Sequence, residues 1–317
     1  MNTRFLILLI FFSNYASCQT INFKNYIETS DINRFWIAYD AVKNLNDSNN
    51  KLQIFENIYI KNASNGLVDF INSRNFTSEK WIKSFAEYPK FWNSIRPKTE
   101  NIQKDFKKVE YIYKKFQKIY PDFNPPKIYF TIGNLKGGGT VINGNLIISS
   151  ELASSDKTVD YSELPNNYQD RMKINSGILF LTAHELVHTQ QNLNSSDNAN
   201  LLGQCLKEGS ADFIAELILN KKVEAPYIDF GNKNQCEIWN RFNTEMYSYD
   251  FQNWLSNTST AKNIPADLGY FIGYIITKNY YKNSLNKKLA IKEILTLNFA
   301  DKNATENFLK QSKYQCK

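Results

Sequence analysis

The feature that most constrains this chain is the placement of its histidines. There are two in 317 residues, and both fall in His184-Glu185-Leu186-Val187-His188. The stretch from Ile178 to Val187 is apolar nearly all round, so a helix over 171–192 is predicted with this part of it buried. Positions i and i+4 of a helix share one face. The spacing therefore sets two imidazoles side by side, a pair that can hold one metal ion.

A catalytic zinc ion usually takes three protein ligands and a water. With no third histidine in the chain, the third ligand must be a carboxylate or a cysteine. Glu208 is the outstanding candidate, within Lys207-Glu208-Gly209-Ser210-Ala211-Asp212-Phe213 on a second predicted helix over 202–219. Glu185, beside the imidazoles, is of the right type to take a proton from a zinc-activated water. Cys205 lies one turn before Glu208, and a small buried apolar role is expected for it.

HExxH followed after nineteen residues by Glu, with Asp four positions later, resembles the thermolysin-like zinc peptidases, the gluzincins. The resemblance implies a zincin-like fold and one Zn2+ ion held by His184, His188 and Glu208. It also implies Glu185 as general base, Asp212 orienting the imidazole of His184, and a peptide or protein substrate. Ligand histidines nearly always donate their second ring N–H to an acceptor, which agrees with the role given to Asp212. Gluzincins add a tyrosine or histidine that donates to the developing oxyanion, and this chain has no histidine to spare. Tyr274 is the leading substitute, in Gly269-Tyr270-Phe271-Ile272-Gly273-Tyr274; Arg96 is a weaker one, and core packing is the alternative role for the tyrosines.

A second resemblance is looser and covers most of the chain. Thr29-Ser30-Asp31-Ile32 with Phe35-Trp36, Phe91-Trp92 to Arg96, Gly137 to Thr140, the segment from His184 to Gln191, and Gly269 to Tyr274 are similar to a bacterial family of predicted zinc-dependent proteases. That family includes gliding-motility lipoproteins of the B type.

Around these helices the periodicity predicts an α+β protein, mostly helical, with a small antiparallel sheet packed on a buried active-site helix. Residues 19–120 read as a helical N-terminal region, 121–220 as the zincin core and 221–317 as a helical C-terminal region. Lys127 to Ile132 reads as a strand, and Asn143-Gly144 between two β-branched runs is a hairpin signal. Gly138, Gly139 and Thr140 are either a flexible surface loop or a strand edge that a substrate backbone can join.

Residues 1–18 read as an export signal, because the apolar run from Phe5 to Phe12 is too short to span a bilayer. Cys18 is either a lipid-accepting cysteine or a residue near an ordinary cleavage point. The expected address is the periplasm or cell envelope, including the outer membrane if Cys18 is acylated. Cys205, Cys236 and Cys316 allow one disulfide within the chain, and the sequence does not choose the pair.

The net charge is +7, and Lys104, Lys107, Lys108, Lys114, Lys115 and Lys118 form a basic stripe. Ile102, Phe106, Val109, Ile112, Phe116 and Ile119 recur between them, which predicts an amphipathic helix with a solvated lysine face. No nucleic-acid motif accompanies the stripe, so nucleic acid is not an expected partner. Two functions follow from the sequence: an exported zinc metallopeptidase, or a non-enzymatic envelope protein whose zinc site is structural or vestigial and which acts in assembly or motility. A zinc hydrolase acting on a non-peptide bond is a third.

Overall fold

The N-terminal region condenses around aromatic side chains. Helices α1 (Ser30–Val42), α2 (Ser48–Phe55), α3 (Asn65–Arg74), α4 (Ser78–Glu87) and α5 (Pro89–Glu100) enclose Phe35, Trp36, Phe55, Tyr59, Trp81 and Trp92, each at most 2% exposed. Their rings meet edge-on or tilted, as at Phe35–Tyr59 (5.2 Å between centroids) and Phe85–Trp92 (5.5 Å). The computed structural model describes residues 21–316, apart from 167, 170–176, 193–197 and 259. The export signal and Cys18 lie outside the described residues.

The expected helix start at Thr29-Ser30-Asp31 is present, but Thr29 makes no side-chain cap. Asp31 is instead fully buried and binds across the fold. It accepts from the backbone N–H of Ser64 (3.0 Å) and pairs with Arg34 (2.7 Å), and Ser64 in turn caps α3. Helix α6 (Phe106–Ile119) buries Val109, Ile112, Tyr113 and Phe116 and leaves its lysines on the other face, as the periodicity predicted.

The sheet contains β1 (Ile27–Glu28), β2 (Ile128–Thr131), β3 (Gly139–Ile142) and β4 (Asn145–Ser149), in the order β1-β2-β4-β3. It is mixed, which corrects the expected antiparallel sheet. β1 pairs parallel with β2, β2 parallel with β4, and only β3 runs antiparallel, against β4. The hairpin signal was sound: Asn143 and Gly144 both have positive φ (51° and 72°), the type I′ geometry. The order differs because 132–138 carries the chain past the top of β4, so the hairpin returns β4 beside β2. Buried Glu151 fastens that passage, accepting from the N–H groups of Gly133 (3.0 Å) and Leu135 (3.2 Å) and from the Ser149 hydroxyl (2.8 Å). Burial pushes the Glu151 pKa up against these bonds. The N-terminal cluster grips the same passage, with Tyr59 donating to the Ile132 carbonyl (2.6 Å) and Trp81 to that of Gly133 (2.7 Å).

Past the short α7 (Ser150–Ala153), the predicted helix over 171–192 appears as α8 (Ile178–His188) among the described residues. Then come α9 (Leu201–Leu219), α10 (Pro226–Lys233), α11 (Gln235–Glu245), α12 (Leu268–Asn283), α13 (Lys287–Leu295) and α14 (Lys302–Ser312). Helices α9 and α12 cross with their backbones in contact. A Cβ on Gly273 would stand 1.7 Å from the Cys205 carbonyl oxygen, and one on Gly209 2.0 Å from the Tyr274 nitrogen. Only glycine fits at that crossing. Cys205 is buried and free, beside Gly269, while Cys236 and Cys316 form a disulfide with Cα atoms 4.9 Å apart. Among the described residues no helix is long and apolar enough to cross a membrane.

Candidate metal centre

His184 and His188 project from one face of α8, as i and i+4 must, and both are buried (7% and 8% exposed). Their Nε2 atoms lie 3.0 Å apart. Glu208 of α9 completes the group, its Oε2 at 3.5 Å from His184 Nε2 and 3.3 Å from His188 Nε2. One ligand atom from each of the three falls within 4.8 Å of the other two.

The outer ring nitrogens fix what these atoms can do. His184 Nδ1 lies 2.8 Å from Asp212 Oδ1, and Asp212 Oδ2 accepts from the Tyr227 hydroxyl (2.9 Å). His188 Nδ1 lies 2.6 Å from Gln191 Oε1. The amide of Gln191 is oriented by its own nitrogen, which donates to the Lys207 carbonyl (2.8 Å) and the Ser210 hydroxyl (2.9 Å), so its oxygen faces the imidazole. Both Nδ1 atoms are thereby the protonated ones, and the two Nε2 lone pairs point at each other and at a carboxylate oxygen. Three lone-pair donors converging in a buried space require positive charge among them.

The titration behaviour states the same need. Burial disfavours a charged imidazole, yet hydrogen bonds to Asp212 and Glu208 overcome it and raise the His184 pKa well above its ordinary value. Burial likewise pushes Glu208 up, but attraction to His188 and hydrogen bonds from both imidazoles hold it well below the usual carboxylate range. A proton can supply the charge. A divalent cation fits the donor set better, since it engages both nitrogens and the carboxylate at once.

Glu185 faces β3. A Cβ on Gly139 would sit 2.7 Å from Glu185 Cγ, and one on Gly138 3.1 Å from Leu181 Cδ2. The two glycines therefore let α8 press against the sheet. β3 is the last strand of the sheet order, so Gly139 and Thr140 belong to an edge strand rather than a free loop. A cavity of about 610 Å³ reaches the trio at Glu208, and is bounded also by Tyr270, Gln204, Phe251, Leu255 and Asn257.

Tyr274 is not brought to the histidines. Its hydroxyl donates to Glu216 Oε2 (2.7 Å) and meets Lys278, and Glu216 stands two turns along α9 from Glu208, about 12 Å away by helix rise. The glycine crossing sets this phase, because it places Tyr270 one turn earlier in α12 opposite α8. The Tyr270 ring stacks on His184 (centroids 6.1 Å, 24° between planes) and packs near Tyr227 (5.6 Å). Arg96 is also elsewhere, on the N-terminal surface with Asp40 and Glu100 (both 2.8 Å). Sequence reasoning missed Gln191 and Tyr227. Gln191 was findable in principle, three residues beyond His188 and of a type that can accept from its ring.

Comparison with known proteins now adds a name for the lineage. The family described as gliding motility protein GldB matches residues 17–316. The chain belongs to that family. It is an envelope lipoprotein family, and the matched region begins one residue before Cys18. No curated protein and no solved structure matches the chain.

Proposed function

We propose that this protein is an envelope lipoprotein of a gliding-motility apparatus and that it is built around a zinc centre of His184, His188 and Glu208. Family membership supports the first half. The observation that carries the second is the convergence of two Nε2 lone pairs and a carboxylate oxygen, each imidazole held from behind by Asp212 or Gln191. In a purely structural role the centre ties α8 to α9, adding to the His184–Asp212 hydrogen bond and the apolar packing between them.

A second reading is favoured by Glu185, which a purely structural centre does not need. Bound zinc would supply Lewis acidity toward a carbonyl and acidify a water in its fourth position. Glu185 would hold and pass the proton, and the edge of β3 would align an extended peptide beside it. This is the zincin-like, peptide-hydrolysing reading. The fold is compatible with it through the placement of an edge strand alongside the helix that bears Glu185.

One set of variants tests both. Metal analysis of purified wild-type protein is expected to find one zinc per chain, lost in His188→Ala and retained in Glu185→Gln. Complementation of a gliding-deficient strain is then expected to fail with His188→Ala and to succeed with Glu185→Gln. Failure of both variants, together with peptide-library cleavage by the wild type alone, moves the function to the peptidase. Wild-type protein without metal, after growth and purification in zinc, sinks the centre in either form.

A further inference from the structure

The basic face of α6 takes no part in the site. Lys104, Lys107, Lys108, Lys114 and Lys118 are exposed and Lys115 is half-exposed, against only Asp105 and Glu110 in the same stretch. Those two acids are themselves paired, Asp105 with Lys108 (2.6 Å) and Glu110 with Lys114 (3.9 Å). Tyr111 stands among the lysines at 43% exposure, with the Lys115 ammonium 5.1 Å from its ring centre. The opposite face of α6 is locked in the core, so the helix cannot roll to hide the lysines.

The chain enters the fold on this same helix. Phe23 is buried and stacks on Tyr113 of α6 (4.9 Å, 4° between planes), and Tyr26 packs on the same ring (6.2 Å). Lys24, next to that anchor, is exposed. Cys18 precedes Phe23 by five residues, a span of at most about 18 Å even when fully extended. An acyl chain on Cys18 therefore holds the membrane plane within about that distance of Phe23, which is seated against Tyr113 on the buried face of α6. Helix α6 itself is about 21 Å long.

We infer that the lysine face of α6, with Lys24 and Tyr111, docks on a lipid surface carrying anionic headgroups and sets the orientation of the protein on its membrane. The inference rests on lipoprotein membership and is independent of zinc. Charge complementarity and the short tether select this occupant over an acidic protein, because the tether brings the lipid surface to the helix whatever else is present. A lysine near an anionic surface contributes additively, and an exposed aromatic among lysines suits the headgroup layer.

The test uses the mature chain carrying Cys18→Ser, so that only the protein surface can bind. Sedimentation is expected to show binding to vesicles of phosphatidylethanolamine with phosphatidylglycerol, little binding to phosphatidylcholine vesicles, and release as salt is raised. Joint reversal of Lys107, Lys114, Lys115 and Lys118 to Glu is expected to weaken binding by on the order of 100-fold or more. A control reversing Lys222, Lys233, Lys262 and Lys310 carries the same net charge and should bind far better. Circular dichroism checks that each variant is folded. Should the α6 variant fail to fold, the salt and lipid dependence of the unaltered surface still decides. Equal loss in the two variants, or wild-type binding that ignores headgroup charge or salt, overturns the proposal.

Discussion

Two cores lie within one molecule, and they are built on opposite principles. Among the N-terminal helices the interior is aromatic, and its few polar atoms bond across the fold to other elements, as where Trp36 of α1 donates to Thr99 of α5 (2.9 Å). Between α8, α9 and α12 the interior holds His184, His188, Asp212, Ser210 and Gln191, each less than 9% exposed. The first core gains stability from every ring it buries. The second spends stability to hold polar atoms at fixed positions, since a buried polar group repays its desolvation only when its partners are in place. Residues that look alike by burial thus differ in purpose, and a single substitution in each region should separate stability from ligand binding.

The largest effect expected is in the aromatic core. Phe35 touches Trp36, Tyr59, Phe85 and Trp92 and is fully buried, so Phe35→Ala should cost about 3–5 kcal/mol of unfolding free energy, read by denaturant titration. Zinc affinity of the folded fraction should stay within a few-fold. A large fall in affinity would show that the two cores are one cooperative unit for binding as well as folding.

Asp212→Asn is the reciprocal probe. Its amide oxygen can still accept from His184, but the buried imidazole loses its counter-charge and the Tyr227 hydroxyl its carboxylate acceptor, so the metal-free protein should also lose some stability. The lost charge should weaken zinc binding about 10–100-fold, roughly 1.4–2.7 kcal/mol, measured by competition with a chelator. An unchanged affinity would reduce Asp212 to a packing residue.

The surface of the N-terminal region gives the smallest effect. Asp40 accepts from Arg96 and Lys43 (both 2.8 Å), and the hydrogen bond from Arg96 lowers its pKa to about 2. A lowered carboxylate pKa adds stability above the unfolded value and loses it as pH falls through the folded one. Asp40→Asn should therefore cost under about 1 kcal/mol near neutrality, because the group is substantially exposed. The difference from wild type should fade between about pH 4 and pH 2. A pH-independent difference would assign the effect to helix propensity instead.

How much of this was legible beforehand depended on distance along the chain. Helical periodicity puts His184 with His188 on one face and Glu208 with Asp212 on another; that the two pairs meet was implied by the gluzincin resemblance, and the Asn143-Gly144 hairpin came from a dipeptide. The parallel pairing of β1 with β2 joins Ile27 to Ile128, across the six helices α1 to α6, whose packing no local pattern encodes. The choice between Tyr270 and Tyr274 turned on helix phase, and the phase was set by Gly209 and Gly273, two glycines on different helices. Gln191 and Tyr227 act as acceptor and donor in a chain of bonds that exists only once the helices have assembled.

The Cys236–Cys316 bond has a consequence for where this protein is completed. It closes a loop of 80 residues that contains α12, the helix whose Tyr270 covers His184. Closing a loop of that length removes chain entropy worth about 4–5 kcal/mol on a loop-entropy estimate. Such bonds form in oxidising compartments and not in the cytosol. Before export the histidines' cover is held by packing alone; afterwards it is held by a covalent latch, so the destination itself finishes the centre.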